Sequence, residues 1–151
     1  MDSELKLRIR DDTRTTMRAR DRARLAVLRL INAEIKQAEI DSRSALTDQE
    51  LHRVLVRMQK QRASSATQYR DGGRPDLATQ EEYEIGVIQE FLPKQLTDAE
   101  VSETVDRACA TLQADSMRHM GKVMGHLTQS LSGRADMSQV SKIVKARLSA
   151  N

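Results

Sequence analysis

Residues 116–148 read SMRHMGKVMGHLTQSLSGRADMSQVSKIVKARL, and their spacing decides the fold. Met117, Met120, Met124, Leu127 and Leu131 recur at steps of three and four, which makes one apolar stripe along a helix. Gly121, Gly125 and Thr128 run beside that stripe and leave a groove where another backbone can come close. Arg118 and Lys122, one turn apart, flank the groove. Gly133 falls where a left-handed residue is expected to end the helix. Asp136 is placed to cap a second helix, with Val140, Val144 and Leu148 as its inner face and Lys142 projecting from nearly the opposite side.

Charge sets this tail apart. From residue 117 onward six basic residues (Arg118, Lys122, Arg134, Lys142, Lys145, Arg147) stand against one acid, Asp136, a net of +5 in a chain whose total is +3. The residues before it therefore carry −2. Such a patch can attract an anionic polymer through phosphate contacts. A pair of helices with lysine and arginine on the solvated face has the same composition.

Working outward, the composition favours long helices. Charged residues make up 31% of the chain, aromatic residues 2%, and proline occurs twice in 151 positions. The aromatic residues are Tyr69, Tyr83 and Phe91, too few for a base-stacking sheet or barrel. Any nucleic-acid contact is therefore expected at backbone and shape. Cys109, the single cysteine, sits on an apolar face beside Val105 and Leu112 and reads as a buried, inert thiol, which suits a reducing compartment. The opening MDSELKLRIRDD lacks an apolar signal core, its acids argue against a transit peptide, and no run approaches a membrane span. These features lead to the expectation of a cytoplasmic protein without a membrane association.

Residues 3–19 are expected to form a first helix on Leu5, Ile9 and Met17, with a solvated, ion-paired face or an RNA-binding arm made by Arg8, Arg10, Arg14, Arg18, Arg20, Arg22 and Arg24. Asp21 can cap a second helix to about residue 40, carrying Leu25, Leu28, Ile31 and Ile35 with Val27, Leu30 and Ala38 beside them. Thr47 and Glu50 fit a capping box ahead of a third helix on Leu51, Val54, Leu55 and Met58, with Arg62 facing inward or nearly so. Gly72-Gly73 ends it, and Pro75 opens a fourth helix bearing Glu81, Glu82, Glu84 and Glu90. Those carboxylates form a solvated face, or oppose the arginines of the earlier helices. Leu92-Pro93 stops the fourth helix and places a domain boundary between residues 92 and 93. Thr97 and Glu100 form a second capping box, before a fifth helix on Val101, Val105, Ala108 and Leu112. The expected architecture is all-α, with an N-terminal long-helix domain over residues 1–92 and a C-terminal three-helix bundle over residues 93–151.

Four stretches carry a resemblance: LRLINAEIKQAEID at 28–41, LTDQE at 46–50, GGRPDLATQEEYEIGVIQEFLPKQLTDAE at 72–100 and MGKVMGHLTQSLSGRAD at 120–136. They run in order over nearly the whole chain, which resembles the GatB/YqeY family and its stand-alone YqeY-like proteins. A similar tail ends the B subunit of the glutamine-dependent aspartyl/glutamyl-tRNA amidotransferase. The resemblance implies a helical appendage that touches tRNA, linked to a carbon–nitrogen ligase with glutamine as amido-N-donor. The large catalytic cradle of that subunit has no counterpart within these residues.

No phosphate loop, nucleophile elbow or cysteine ligand set is present in the sequence. His119 and His126 lie near one helical face without carboxylate or thiolate neighbours, a poor metal site, and His52 is isolated. No catalytic residue, metal or cofactor is therefore expected. The expected partner is tRNA, met by Arg118, Lys122, Arg134, Lys142 and Lys145, with Gly121, Gly125 and Gly133 allowing close approach. The alternative is a protein-interaction adaptor whose glycine groove receives a partner helix, with Met117, Met120 and Met124 as an adaptable apolar strip. Oligomeric state has no signature in the sequence.

Overall fold

The computed structural model describes residues 2–150. Among them are seven α-helices, one 3-10 turn and no strand, so the protein is all-α. The chain divides into two compact units after Pro93.

The N-terminal unit holds α1 (Glu4–Arg18), α2 (Arg22–Ser42), α3 (Asp48–Asp71) and α4 (Pro75–Gln89). Side-chain caps start α1, α2 and α3: Ser3 accepts from Lys6 N, Asp21 from Arg24 N, and Thr47 from Glu50 N, each satisfying a first-turn donor. Asp48, the first residue of α3, also accepts from Leu5 N at 3.2 Å, so it caps α1 from 43 residues away. One core joins the four helices through Leu5, Ile9, Leu28, Ile31, Ile35, Leu51, Leu55, Met58, Ile88 and Phe91. Two expected inner positions are corrected. Met17 is 51% exposed and Thr16 takes the buried place, because α1 meets α2 on the face that carries Leu5, Ile9 and Thr16. Leu30 is also exposed, since α2 buries the face of Val27, Leu28, Ile31 and Ile35.

The acids of α4 meet arginines. Arg24 bridges Asp12 at 2.8 Å and Glu90, Arg70 pairs with Glu82, and Arg62 lies 3.6 Å from Glu84. Arg8 donates to the Glu90 carbonyl at 2.7 Å while its guanidinium lies 5.2 Å from the centre of the Phe91 ring. Glu84 stands above the usual carboxylate range because burial disfavours its charge more than Arg62 favours it.

Glu39 ties three segments of this unit. Its carboxylate accepts from Lys6 Nζ at 2.7 Å and 3.0 Å, and from Leu46 N at 3.1 Å. The hydrogen bond from Lys6, more than any other contact, holds the Glu39 carboxyl below its ordinary value of 4.5. A depressed acid stabilises the fold above that value and loses the contribution as pH falls through the folded value. Glu39→Gln is therefore expected to lower stability by about 1 kcal/mol at neutral pH. Urea titrations at a series of pH values should show the difference from the parent shrinking below 4.5.

The C-terminal unit holds α5 (Asp98–Thr111), a 3-10 turn (Met117–His119), α6 (Met120–Leu131) and α7 (Met137–Ser149). Thr97 and Glu100 close both halves of a capping box, and Asp136 accepts from Ser138 N at the start of α7. The core is Val101, Val105, Ala108, Cys109, Val123, Leu127, Leu131, Val140, Val144 and Leu148. Here the expected stripe is corrected. Val123 is fully buried, Met120 and Met124 are partly so, and Met117 lies outside the helix and exposed. The tighter 3-10 turn before Met120 breaks the register that would have continued the stripe back to Met117.

Several helix ends close in the same way. At residues 20, 43, 73 and 113 a left-handed residue lets the following N–H reach back over the last turn, as in Asp21 N to Thr16 O and Ala114 N to Cys109 O. Only Gly73 among these four is a glycine; Arg20, Arg43 and Gln113 hold the conformation with a Cβ.

Candidate nucleic-acid interface

The basic residues of the tail sit on three consecutive pieces of the C-terminal unit. Arg118 is in the 3-10 turn, Lys122 in the first turn of α6, Arg134 in the α6–α7 loop, and Lys142 and Lys145 on α7. All five are exposed. The 3-10 turn packs on both α6 and α7, so Arg118 belongs to the same small body as the lysines. On α7 the buried face of Val140, Val144 and Leu148 leaves Lys142 and Lys145 on the outer side.

The partners of these cations distinguish them. Arg147 pairs with Asp106 at 3.0 Å, so the sixth basic residue of the tail is tied to α5. Asp136, the tail's one acid, is turned toward the α7 N-terminus. Lys122 Nζ donates to the Leu112 carbonyl at 3.3 Å, which satisfies a hydrogen bond and leaves its charge unbalanced. Among the described residues, the side chains of Arg118, Arg134, Lys142 and Lys145 have no carboxylate partner. The acids of this unit lie mainly on α5, as Asp98, Glu100, Glu103 and Asp106.

Two residues outside the expected set hold the Arg134 loop. Gln95 donates through its side-chain amide to the Gly133 carbonyl, and Leu96 N donates to the Arg134 carbonyl at 2.9 Å. Gly133 has the left-handed φ of 75° expected of it. Nothing in the spacing around Gln95 announces this role, because the contact crosses 38 residues.

The glycine positions are open. A Cβ built on Gly121 or Gly125 meets nothing within 4 Å, so none of the described residues occupies the space beside them. Alanine at Gly125, in the exposed interior of α6, is expected to stabilise the helix by about 0.5–1 kcal/mol, and alanine at Gly121, in its first turn, by less. If a ligand backbone approaches this face, Gly121→Ala with Gly125→Ala will raise the melting temperature and weaken RNA binding together. Thermal unfolding and tRNA titration of one sample measure both.

His119 Nδ1 accepts from Asp115 N at 3.3 Å, and no three His, Cys, Asp or Glu side chains among the described residues are grouped to hold a metal ion. Cys109 is buried.

Comparison with known proteins places residues 6–148 on the family model described as Yqey-like protein. A relative from Pyrenophora tritici-repentis, named altered inheritance of mitochondria protein 41, mitochondrial, is 30% identical over 141 residues, covering 91% of this chain and 77% of its own length. Proteins of the same name from Meyerozyma guilliermondii (31% identity, 78% of this chain, 63% of the relative) and Clavispora lusitaniae (30%, 80% and 72%) are also similar. The match to the Meyerozyma relative thus spans less than two thirds of that protein. These names overturn the cytoplasmic expectation, since the relatives are named as mitochondrial proteins. A lone cysteine and the lack of a long apolar run are compatible with more than one compartment.

Proposed function

The chain belongs to the Yqey-like protein family, and on that premise we propose that it is an accessory module that binds tRNA through the phosphate backbone, without a catalytic centre of its own. In this reading it serves glutamine-dependent tRNA amide transfer carried out by other subunits. The observation that carries the proposal is the set of tail cations left without carboxylates, Arg118, Arg134, Lys142 and Lys145, together with Lys122. Phosphates are the complement such a surface lacks. In the polar cleft beside Phe91, two of the polar groups already serve the fold. Asp48 caps α1 and Arg8 holds the Glu90 carbonyl. The test is titration of bulk tRNA into the nuclease-treated full chain. Saturable, salt-sensitive binding that weakens on Lys122→Glu with Lys142→Glu supports the proposal, and unchanged affinity in that variant overturns it.

A second reading, a protein-interaction adaptor, draws on the exposure of Met117 beside the open Gly121 and Gly125 face. It separates from the first by charge. An apolar helix docked on this face would tolerate the lysine reversals and be lost on Gly121→Ala with Gly125→Ala.

A further inference from the structure

The sequence presents Arg8 to Arg24 as one basic run, and the structure divides it. Arg8, Arg10, Arg14 and Arg24 have partners in Glu90 and Phe91, Asp2, Asp11, and Asp12 with Glu90 respectively. Arg18, Arg20 and Arg22 have none among the described residues, and all three are exposed. They occupy the corner where α1 ends and α2 begins. Arg20 and Arg22 line a surface cleft of about 340 Å³ with Met17 and Leu25, so two of the three arginines border one space. Asp21, the acid between them, is engaged as the α2 cap. Other unpaired cations of this unit, Arg29, Lys36, Arg43 and Arg53, stand singly along α2, at its end and on α3.

We infer that the α1–α2 corner, through Arg18, Arg20 and Arg22, is a second phosphate-binding surface that takes the backbone of a polynucleotide. The inference rests on the RNA-binding reading above and adds to it a contact on the N-terminal unit. Three residues of the same type argue for phosphate, because a guanidinium offers two parallel donors to one phosphate and stays charged at every physiological pH. A lipid surface fits less well. Met17 and half-buried Leu25 are the apolar groups lining the cleft, little to insert into a bilayer. Arginine clusters also hold phosphorylated or acidic peptides, and the RNA-binding reading of the tail is what favours a polynucleotide here.

The experiment is tRNA titration of the full chain across a salt series, comparing the parent with Arg18→Gln, Arg20→Asn and Arg22→Gln combined. Asparagine tolerates the left-handed conformation at position 20, where φ is 60°, so the fold is kept. Three lost phosphate contacts should flatten the log–log salt dependence by roughly 2 to 3. A triple variant with the parent's slope and affinity overturns the inference and leaves the tail reading standing. Loss of binding in the triple variant, with none in Lys122→Glu plus Lys142→Glu, supports the corner and removes the tail. A parent that binds no tRNA at low salt overturns both. Parent binding to phosphatidylserine vesicles that the triple variant loses, with tRNA binding unaffected, assigns the corner to lipid and overturns the polynucleotide.

Discussion

Phe91→Ala is expected to remove about 3–5 kcal/mol from the stability of the N-terminal unit. Phe91 is 2% exposed and belongs to the core that joins all four helices of that unit. It lies just beyond α4, where its own N–H bonds back to the Ile88 carbonyl at 3.1 Å. The ring therefore fastens the end of α4 onto α1, α2 and α3. Its outer face also receives the Arg8 guanidinium, whose hydrogen bond to the Glu90 carbonyl fixes the same turn. Alanine would leave a void as large as a benzene ring and strip Arg8 of its stacking partner. Against a total of about 5–15 kcal/mol for a domain, that is a large fraction. The melting temperature followed by circular dichroism should fall by more than about 10 °C. A loss under about 1 kcal/mol would mean that the ring is dispensable to the core. Phe91→Leu keeps much of the buried volume and is expected to lose far less than alanine.

Reversing Lys122 and Lys142 is expected to weaken tRNA binding strongly. At 50 mM salt each phosphate contact contributes about tenfold through counterion release, so two lost contacts weaken tRNA binding on the order of a hundredfold. Both side chains are exposed and neither has a carboxylate partner, so the reversals should cost little stability beyond the Lys122 hydrogen bond to the Leu112 carbonyl. Arg147→Glu is the informative contrast. Its partner Asp106 already balances its charge, so the change should disturb the α5–α7 ion pair more than it disturbs RNA affinity.

Much of this protein was legible because its helices are locally punctuated. Asp21, Thr47, Thr97 and Asp136 each cap the helix that begins after them. Pro75 opens α4, and Gly133 adopts its left-handed turn. The illegible parts depend on contacts between distant segments or on conformations that composition disfavours. Arg20, Arg43 and Gln113 end helices in a conformation usually assigned to glycine, so no residue type marks them. Met117 satisfied the helical period and still left the helix, because the 3-10 turn shifted its register. At the candidate interface, the list of cations could be read from the sequence. Which cations are free could not, because Arg147 meets Asp106 from 41 residues away and the arginines near the N-terminus find partners as far off as Glu90. Compartment was misread for a related reason: the features that argued for the cytoplasm describe the folded chain and carry no address.

Phosphate binding by the tail cations that lack carboxylate partners has a direct salt signature. The most direct measurement is the slope of log Kobs against log salt concentration for the full chain, parent against Lys122→Glu with Lys142→Glu. Loss of two phosphate contacts predicts a slope shallower by roughly 1.4 to 1.8 in the variant. Two parallel lines at equal affinity would contradict such binding and leave the tail cations as an ordinary solvated surface.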